Sequence, residues 1–95
     1  AVLDQVRVDK AFVGTMGLSL EDGLTTTDPN EAFTKALVQE QAGQVVLLAD
    51  SSKEGKVSFA RVGAADTVDV LITDKKFPAK HARALRKRGV KVRLV

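Results

Sequence analysis

Residues 44–53 read QVVLLADSSK, in which five consecutive apolar residues are followed by an abrupt polar turn. An apolar run without alternation is typical of a strand that is buried on both faces, as in the middle of a parallel sheet. We therefore predict a central strand over 45–49. The polar turn over 50–53 then lies at the carboxyl end of this strand, where open α/β sheets place their ligands. We predict that it forms one wall of a small-molecule pocket.

The chain before this strand contains a second strand, a long loop and a helix. Residues 11–13 predict a short strand, and residues 14–30 predict a loop rich in Gly, Thr and Asp without clear periodicity. An aspartate cap at Asp28, a proline at the first helical position and a glutamate two residues later predict a helix over 29–42. The predicted inner face of this helix consists of Phe33, Ala36 and Leu37, and Gly43 is predicted to close the helix.

The chain after the central strand repeats the alternation of strand and helix. Residues 56–62 alternate weakly, which is compatible with a short strand or an irregular cover, and 68–73 predict a buried strand. A helix is predicted over 78–88, closed by Gly89, and its predicted inner residues are Ala79, Ala82 and Leu85. The final run 90–95 alternates apolar and cationic residues, which indicates a half-exposed strand near a sheet edge.

This order of elements predicts an α/β fold with a mostly parallel open sheet of about four strands and two main helices. Right-handed crossovers between parallel strands bring the carboxyl ends of the strands to the same edge. Three polar segments then meet there: Gly14 and Thr15, the turn Asp50–Lys53, and Thr73 with Asp74.

Length and composition set the class of protein. Ninety-five residues, 44% hydrophobic and 28% charged, are expected to form one small globular domain. Without cysteine the chain has no disulfide and no thiolate metal site, and one histidine with scattered acids does not make a ligand set, so we expect no metal or cofactor. No run approaches the roughly 20 apolar residues of a membrane span, and a cytoplasmic location is expected. The net charge of +3 does not by itself indicate nucleic acid.

The beginning of the chain suggests a fragment. The first residue is Ala1 rather than methionine, and Leu3 and Val6 are spaced like the inner side of a helix end. We therefore expect this chain to be part of a longer protein.

The turn Asp50–Lys53 carries backbone amides, two hydroxyls and one cation within four residues, which suits a phosphate group. The helix start at Asp28–Glu31 adds the positive end of a helix dipole. The alternative is that Asp50 and Ser51 only cap a turn and that Lys53 is a solvated side chain.

The last predicted helix presents cations that allow two interpretations, a nucleic-acid surface or a solvated face. The absence of interleaved aromatic residues favours the solvated face. His81, on the same helix, has no Ser, Cys or acid near it in sequence and is predicted to be a surface residue. The cations are Lys80, Arg83, Arg86, Lys87 and Arg88.

The runs VDKAFVGTMGLSLEDGLTTTDPNEAFTKALV, VVLLADSSKEGKVSFARV and VDVLITD resemble the C-terminal effector-sensing domain of DeoR-family bacterial transcriptional repressors over Val8 to Val95. The resemblance implies a fold similar to ribose-5-phosphate isomerase and CoA-transferase domains. It implies that a helix-turn-helix domain and the first half of the sensor domain precede Ala1. It also implies a phosphorylated sugar or related metabolite as effector, operator DNA as a partner of the preceding domain, and a homo-oligomer.

The same resemblance selects the predicted phosphosugar-binding residues, which are Gly14, Asn30, Glu31, Asp50, Ser51 and Lys53. It also leaves an alternative, a sugar-phosphate aldose–ketose isomerase, because Asp9, Glu31 and Lys53 match isomerase positions. Phe12 replaces the second isomerase acid, and the Lys-Gly-Gly stretch is missing, so the catalytic set is incomplete. We therefore expect a sensor rather than an enzyme. A receiver-like signalling domain is disfavoured because Asp4 and Asp9 are poorly placed for an acidic cluster.

Overall fold

The computed structural model describes residues 7–95, so the helix end predicted from Leu3 and Val6 lies outside the described residues. The regular elements, in chain order, are β1 (Val8–Val13), β2 (Gly17–Ser19), β3 (Gly23–Thr26), α1 (Pro29–Gln41), β4 (Ala42–Leu48), β5 (Ala60–Gly63), β6 (Val70–Thr73), α2 (Ala79–Lys87) and β7 (Lys91–Leu94). Short 3₁₀ turns lie at Ser51–Lys53 and Ala65–Thr67.

Four of the strands form a parallel sheet in the order β1-β4-β6-β7, which confirms the predicted α/β class. β4 lies between β1 and β6, as the apolar run predicted, and β7 lies at an edge, as its alternation predicted. In register, Val46 lies opposite Phe12 on one side and opposite Val70 on the other. The 44–53 stretch is therefore the centre of the main sheet.

The prediction of a structureless loop over 14–30 was wrong. β2 and β3 form an antiparallel hairpin, and β5 adds to β3 to complete a second sheet in the order β2-β3-β5. Gly23 takes a φ of 75°, in the left-handed region that glycine adopts without steric cost. The strands escaped detection because three or four residues of Gly, Leu, Ser and Thr are too short to show a period. Residues 56–62 contribute β5 to this second sheet rather than to the main one.

α1 begins as predicted, because the Asp28 side chain accepts a hydrogen bond of 2.9 Å from the Asn30 backbone N–H. Its predicted inner face was wrong at Phe33, which is 66% exposed while the neighbouring Ala32 is buried; the other two predicted residues, Ala36 and Leu37, are half-buried. Neighbouring helical residues are separated by about 100° around the axis, so a shift of one position moves a side chain from the core to the surface. Gly43 does not close the helix in a left-handed conformation. It lies in β4, where a Cβ would approach the Asp9 carbonyl oxygen of β1 to 3.1 Å.

α2 ends as predicted. Gly89 takes a φ of 94°, its N–H donates to the Arg86 carbonyl, and the Val90 N–H donates to the Leu85 carbonyl. This pair of bonds is a Schellman motif, which satisfies the last carbonyls of a helix. Ala82 and Leu85 are buried as predicted, but Ala79 is exposed.

The core lies between the parallel sheet, the second sheet and α2. Both crossovers, β1-α1-β4 and β6-α2-β7, run in the same direction along the sheet, so right-handed connections place both helices on one face. The core residues include Leu18, Leu24, Val45, Leu47, Leu71, Phe77, Ala82, Leu85 and Val92.

The opposite face of the parallel sheet is partly open among the described residues, since Phe12 on it is largely exposed, whereas Val46 and Val70 are buried. A shallow groove on it is lined by Phe12, Val46, Val70 and Ile72, with Lys10, Gln44 and Arg93 around them. Phe12 is 65% exposed. A parallel sheet is normally covered on both faces, so this open face is an unusual feature. Within residues 7–95, neither helix has the length and apolar character needed to traverse a lipid bilayer.

Candidate functional site

Three polar segments meet at the carboxyl edge of the parallel sheet, as the topology predicted. Val13 at the end of β1 lies opposite Leu47, and Leu48 at the end of β4 lies opposite Ile72 of β6. Gly14, the turn Ser51–Lys53 and Asp74 therefore follow the ends of three adjacent strands. Strands in a sheet are about 4.8 Å apart, which makes these segments neighbours.

The turn after β4 is organised by Asp50. Its Oδ1 accepts a 3.0 Å hydrogen bond from the Ser52 N–H and a second, short one from the Ser52 hydroxyl. These bonds, the hydroxyl bond first, lower the pKa of Asp50, and the positive charge of Lys53 acts in the same direction. The Lys53 charge therefore acts on Asp50, at the edge where the sequence placed both.

Asp74 ties the end of β6 to this turn. Its Oδ2 accepts a 2.8 Å hydrogen bond from the Ser51 N–H, and its Oδ1 accepts a 2.9 Å bond from the Lys76 N–H. The backbone donor of Ser51 is the main cause that lowers the pKa of Asp74. Sequence analysis placed Asp74 at this edge but did not select it. Its position directly after a buried strand was the available signal.

The backbone amides of residues 51–54 each have an acceptor. Ser51 donates to Asp74 and Ser52 to Asp50, while the Lys53 and Glu54 amides donate to the carbonyls of Asp50 and Ser51. Three of the four amides of the predicted turn 50–53 are therefore used within the fold, by the carboxylates of Asp74 and Asp50 and by the Asp50 carbonyl. The Ser51 hydroxyl and the Lys53 ammonium are the parts of the predicted set that suit an anion.

The lowered pKa values of Asp50 and Asp74 predict that the stability of the protein decreases at acidic pH. A carboxyl whose pKa is lowered by folding stabilises the protein above its unfolded pKa of about 3.9, and the contribution is lost as the pH falls through the folded pKa. We expect Asp74→Asn to lower the melting temperature at pH 7, and we expect the gap to wild type to narrow progressively below about pH 4. Melting curves between pH 7 and pH 2.5 measure this. A gap that stays constant over that range would contradict the role of the Asp74 charge.

The start of α1 lies at the same edge and links two further predicted residues. The Lys35 Nζ donates a 3.2 Å hydrogen bond to the Gly14 carbonyl and lies 3.8 Å from Glu31 Oε1. Asn30 lies in the same first turn, where its N–H is bound to the Asp28 cap. Lys35 therefore brings Gly14 and Glu31 together, and Asn30 lies next to Glu31 in the first turn of α1. Sequence analysis missed Lys35, although its i,i+4 spacing from Glu31 is a known pairing distance on helices.

His81 has an acidic partner, contrary to prediction. Its Nδ1 lies 2.5 Å from Glu54 Oε2, and its side chain is only 34% exposed. Glu54 follows the 51–53 turn and forms an isolated bridge with Leu18. The contact joins residues 27 positions apart, so sequence proximity could not show it. Among residues 7–95, no group of three His, Asp or Glu side chains is arranged to hold a metal ion.

The basic side chains of α2 are partly used within the fold. Arg86 donates to the Val92 carbonyl at 2.8 Å, and Arg88 donates to the Leu20 carbonyl at 3.1 Å. These bonds assign structural roles to two of the five cations.

Asp9, the acid that matched an isomerase position, lies near the start of β1. Asp9 lies five positions before Gly14, which corresponds to about 16 Å along an extended strand. Asp9 therefore lies away from the carboxyl edge at which Glu31 and the 51–53 turn are found.

Comparison with known proteins gives a consistent result. The family model described as the DeoR C terminal sensor domain matches residues 1–75. The HTH-type transcriptional regulator GlpR of Haloferax volcanii is 38% identical over 90 residues, which cover 95% of this chain and 35% of that protein. The HTH-type transcriptional repressor GlcR of Bacillus subtilis is 40% identical over 73 residues, which cover 77% of this chain and 28% of that protein. The putative aga operon transcriptional repressor of Escherichia coli O157:H7 is 32% identical over 93 residues, which cover 98% of this chain and 35% of that protein. The chain spans about a third of the length of these relatives.

Proposed function

This chain belongs to the family of DeoR C-terminal sensor domains, and from that premise we propose that it is the effector-binding part of a DNA-binding transcriptional repressor of sugar metabolism. The proposed effector is a phosphorylated sugar or a related metabolite. The observation that carries the proposal is that Lys53, Ser51 and the group formed by Gly14, Glu31 and Lys35 share one edge of a parallel sheet. The relatives named above, which are transcriptional regulators and repressors, support it.

In this proposal the two parts of the edge bind two parts of the ligand. Lys53 and the Ser51 hydroxyl contact the phosphate group, with Asp50 holding the turn. Glu31 and Asn30 hydrogen-bond the sugar hydroxyls. Space over Gly14 is open, since a Cβ there would meet no atom within 4 Å, so a ligand can approach the backbone.

Release of operator DNA tests the proposal. The full-length protein, bound to a fluorescent fragment of its own promoter, is titrated with fructose 1-phosphate, fructose 6-phosphate, glucose 6-phosphate and glycerol 3-phosphate. We expect one of them to weaken DNA binding, and linkage requires DNA to weaken that ligand by the same factor. No response to any of these esters would overturn the proposal.

We also propose that the domain has no isomerase activity. The distance of Asp9 from the carboxyl edge supports this, because an enediol mechanism needs its acid and base at the reacting carbons. The full-length protein is incubated with ribose 5-phosphate in D₂O. Deuterium at C2 above the protein-free control would favour the isomerase alternative.

We propose that the helix-turn-helix domain and the first half of the sensor domain precede this chain, and that this first half covers the open face of the parallel sheet. The support is the apolar groove around Phe12 and the share of the relatives that the chain spans. We further propose a cytoplasmic homo-oligomer, in keeping with a regulator that acts on DNA. Sedimentation of the full-length protein measures its subunit number.

If the preceding half of the sensor domain covers this face, Phe12→Ala should destabilise the full-length protein more than the 95-residue chain. Phe12→Ala is expected to cost about 3 kcal/mol in the full-length protein, the usual loss for a buried phenylalanine, but less than about 1 kcal/mol in the 95-residue chain, where Phe12 is 65% exposed. Leu47→Ala is the control, because Leu47 is buried in this chain and should be costly in both forms. Urea unfolding measures both. Equal small losses for Phe12→Ala in the two forms would contradict the proposed cover.

A further inference from the structure

Lys35 contacts two of the predicted binding residues, yet neither composition nor motif pointed to it. Its ammonium is bound to the Gly14 carbonyl at 3.2 Å and lies 3.8 Å from Glu31 Oε1. Its side chain is 24% exposed, compared with 55% for Glu31. A lysine that is this covered and is held at its head group is positioned more firmly than a surface lysine.

The head group retains hydrogen-bonding capacity in this position. An ammonium has three N–H donors, and only one of them is used by the Gly14 carbonyl. The separation of 3.8 Å from Glu31 is that of an ion pair and is longer than a hydrogen bond. The Glu31 carboxylate therefore keeps its acceptor sites, and Lys35 keeps donors next to it.

An adjacent donor and acceptor of this kind match a pair of neighbouring sugar hydroxyls. One hydroxyl can donate a hydrogen bond to the carboxylate, while the oxygen of the next hydroxyl accepts one from the ammonium. Inorganic phosphate is an anion, so the Glu31 carboxylate repels it, whereas the neutral hydroxyls of a sugar carry no charge to be repelled. The Lys35–Glu31 pair is therefore suited to the sugar part of a ligand, whereas Lys53 on the neighbouring strand end is suited to the anion.

We propose that Lys35 is a sugar-recognition residue that binds, together with Glu31, two neighbouring hydroxyls of the effector. This inference rests on the proposed function, because it assigns a part of the same ligand. It divides the edge into a hydroxyl subsite at α1 and a phosphate subsite at the 51–53 turn.

The test compares ligands with and without the sugar in full-length protein. Calorimetry measures binding of fructose 1-phosphate, fructose 6-phosphate and glucose 6-phosphate, and the shift of the melting temperature measures binding of inorganic phosphate. Lys35→Met should weaken the best sugar phosphate by roughly 10- to 100-fold, the loss of a charge-assisted hydrogen bond, and leave inorganic phosphate within about twofold. Lys53→Ala should weaken both ligands. Lys80→Met, on the exposed face of α2, should change neither.

The outcomes separate the inference from the proposed function. A Lys35→Met variant that binds the sugar phosphate as wild type does, or that loses both ligands equally, overturns the role of Lys35 and leaves the sensor proposal standing. Failure of all three sugar phosphates to bind wild type overturns the role of Lys35, and it overturns the proposed function as well if glycerol 3-phosphate also fails to release the DNA. Retained binding of inorganic phosphate shows that the edge is folded. If Lys35→Met does not fold, Glu31→Gln decides: selective loss of the sugar phosphate supports the subsite, and unchanged binding overturns it.

Discussion

Gly23→Ala is expected to destabilise the protein by about 3 kcal/mol or more. Gly23 has a φ of 75°, and the left-handed conformation costs a residue with a side chain roughly 1–2 kcal/mol. A Cβ at this position would also lie 2.0 Å from the Gly63 carbonyl oxygen and 2.8 Å from the Ala64 Cα. Both are backbone atoms that no side-chain rotation can move away, so relief requires separation of β3 from β5. Overpacking of this kind costs about a further 1–3 kcal/mol.

Gly14→Ala is the matched control for this substitution. Gly14 has no positive φ, and a Cβ there meets no atom within 4 Å, so the change should be neutral or slightly stabilising. Urea unfolding followed by circular dichroism gives the two free energies of unfolding. If Gly23→Ala unfolds at the same urea concentration as Gly14→Ala, the close packing of the hairpin against β5 is not as described.

The Gly23 contact also shows why the second sheet was not predicted. Gly23 approaches Gly63, and Thr26 pairs with Ala60, across more than 30 positions of the chain. Partners that are this far apart in sequence cannot be recognised from local residues. The strands themselves, of three or four residues, are too short to show a period. The main sheet was predictable because its signals are local: an apolar run at 45–49, a cap at Asp28 and a glycine at position 89.

In the candidate site, too, some features were predictable from sequence and others depended on long-range contacts. Topology alone places Gly14, the 51–53 turn and Asp74 at one edge, because the carboxyl ends of parallel strands coincide. The partners of individual donors were not predictable, because the acceptor of the Ser51 amide comes from the next strand of the sheet. The pairing of Lys35 with Gly14 depends in the same way on how α1 lies over β1. Sequence thus indicates which segments meet, whereas the bonds between them depend on tertiary packing.

Lys53→Ala is expected to weaken a sugar phosphate by roughly 10- to 100-fold and to leave the unphosphorylated sugar unchanged. The expected loss is large because the amides of the turn already donate to Asp74, Asp50 and the carbonyls of the turn itself. The amides of residues 51–54 cannot replace the ammonium without breaking a bond of the fold. Calorimetry on the full-length protein with glucose 6-phosphate and glucose, or fructose 1-phosphate and fructose, measures the difference.

Lys76→Ala is the control for Lys53→Ala. Lys76 lies at the same edge, and its backbone N–H, which the substitution retains, binds Asp74. If the edge attracted anions only through its general positive charge, the two substitutions would weaken the sugar phosphate equally. A specific phosphate contact at Lys53 requires a much larger loss for Lys53→Ala. Equal loss of the phosphorylated and unphosphorylated sugars would instead mean that Lys53 supports the shape of the turn, and the phosphate subsite would have to be sought elsewhere on the sheet.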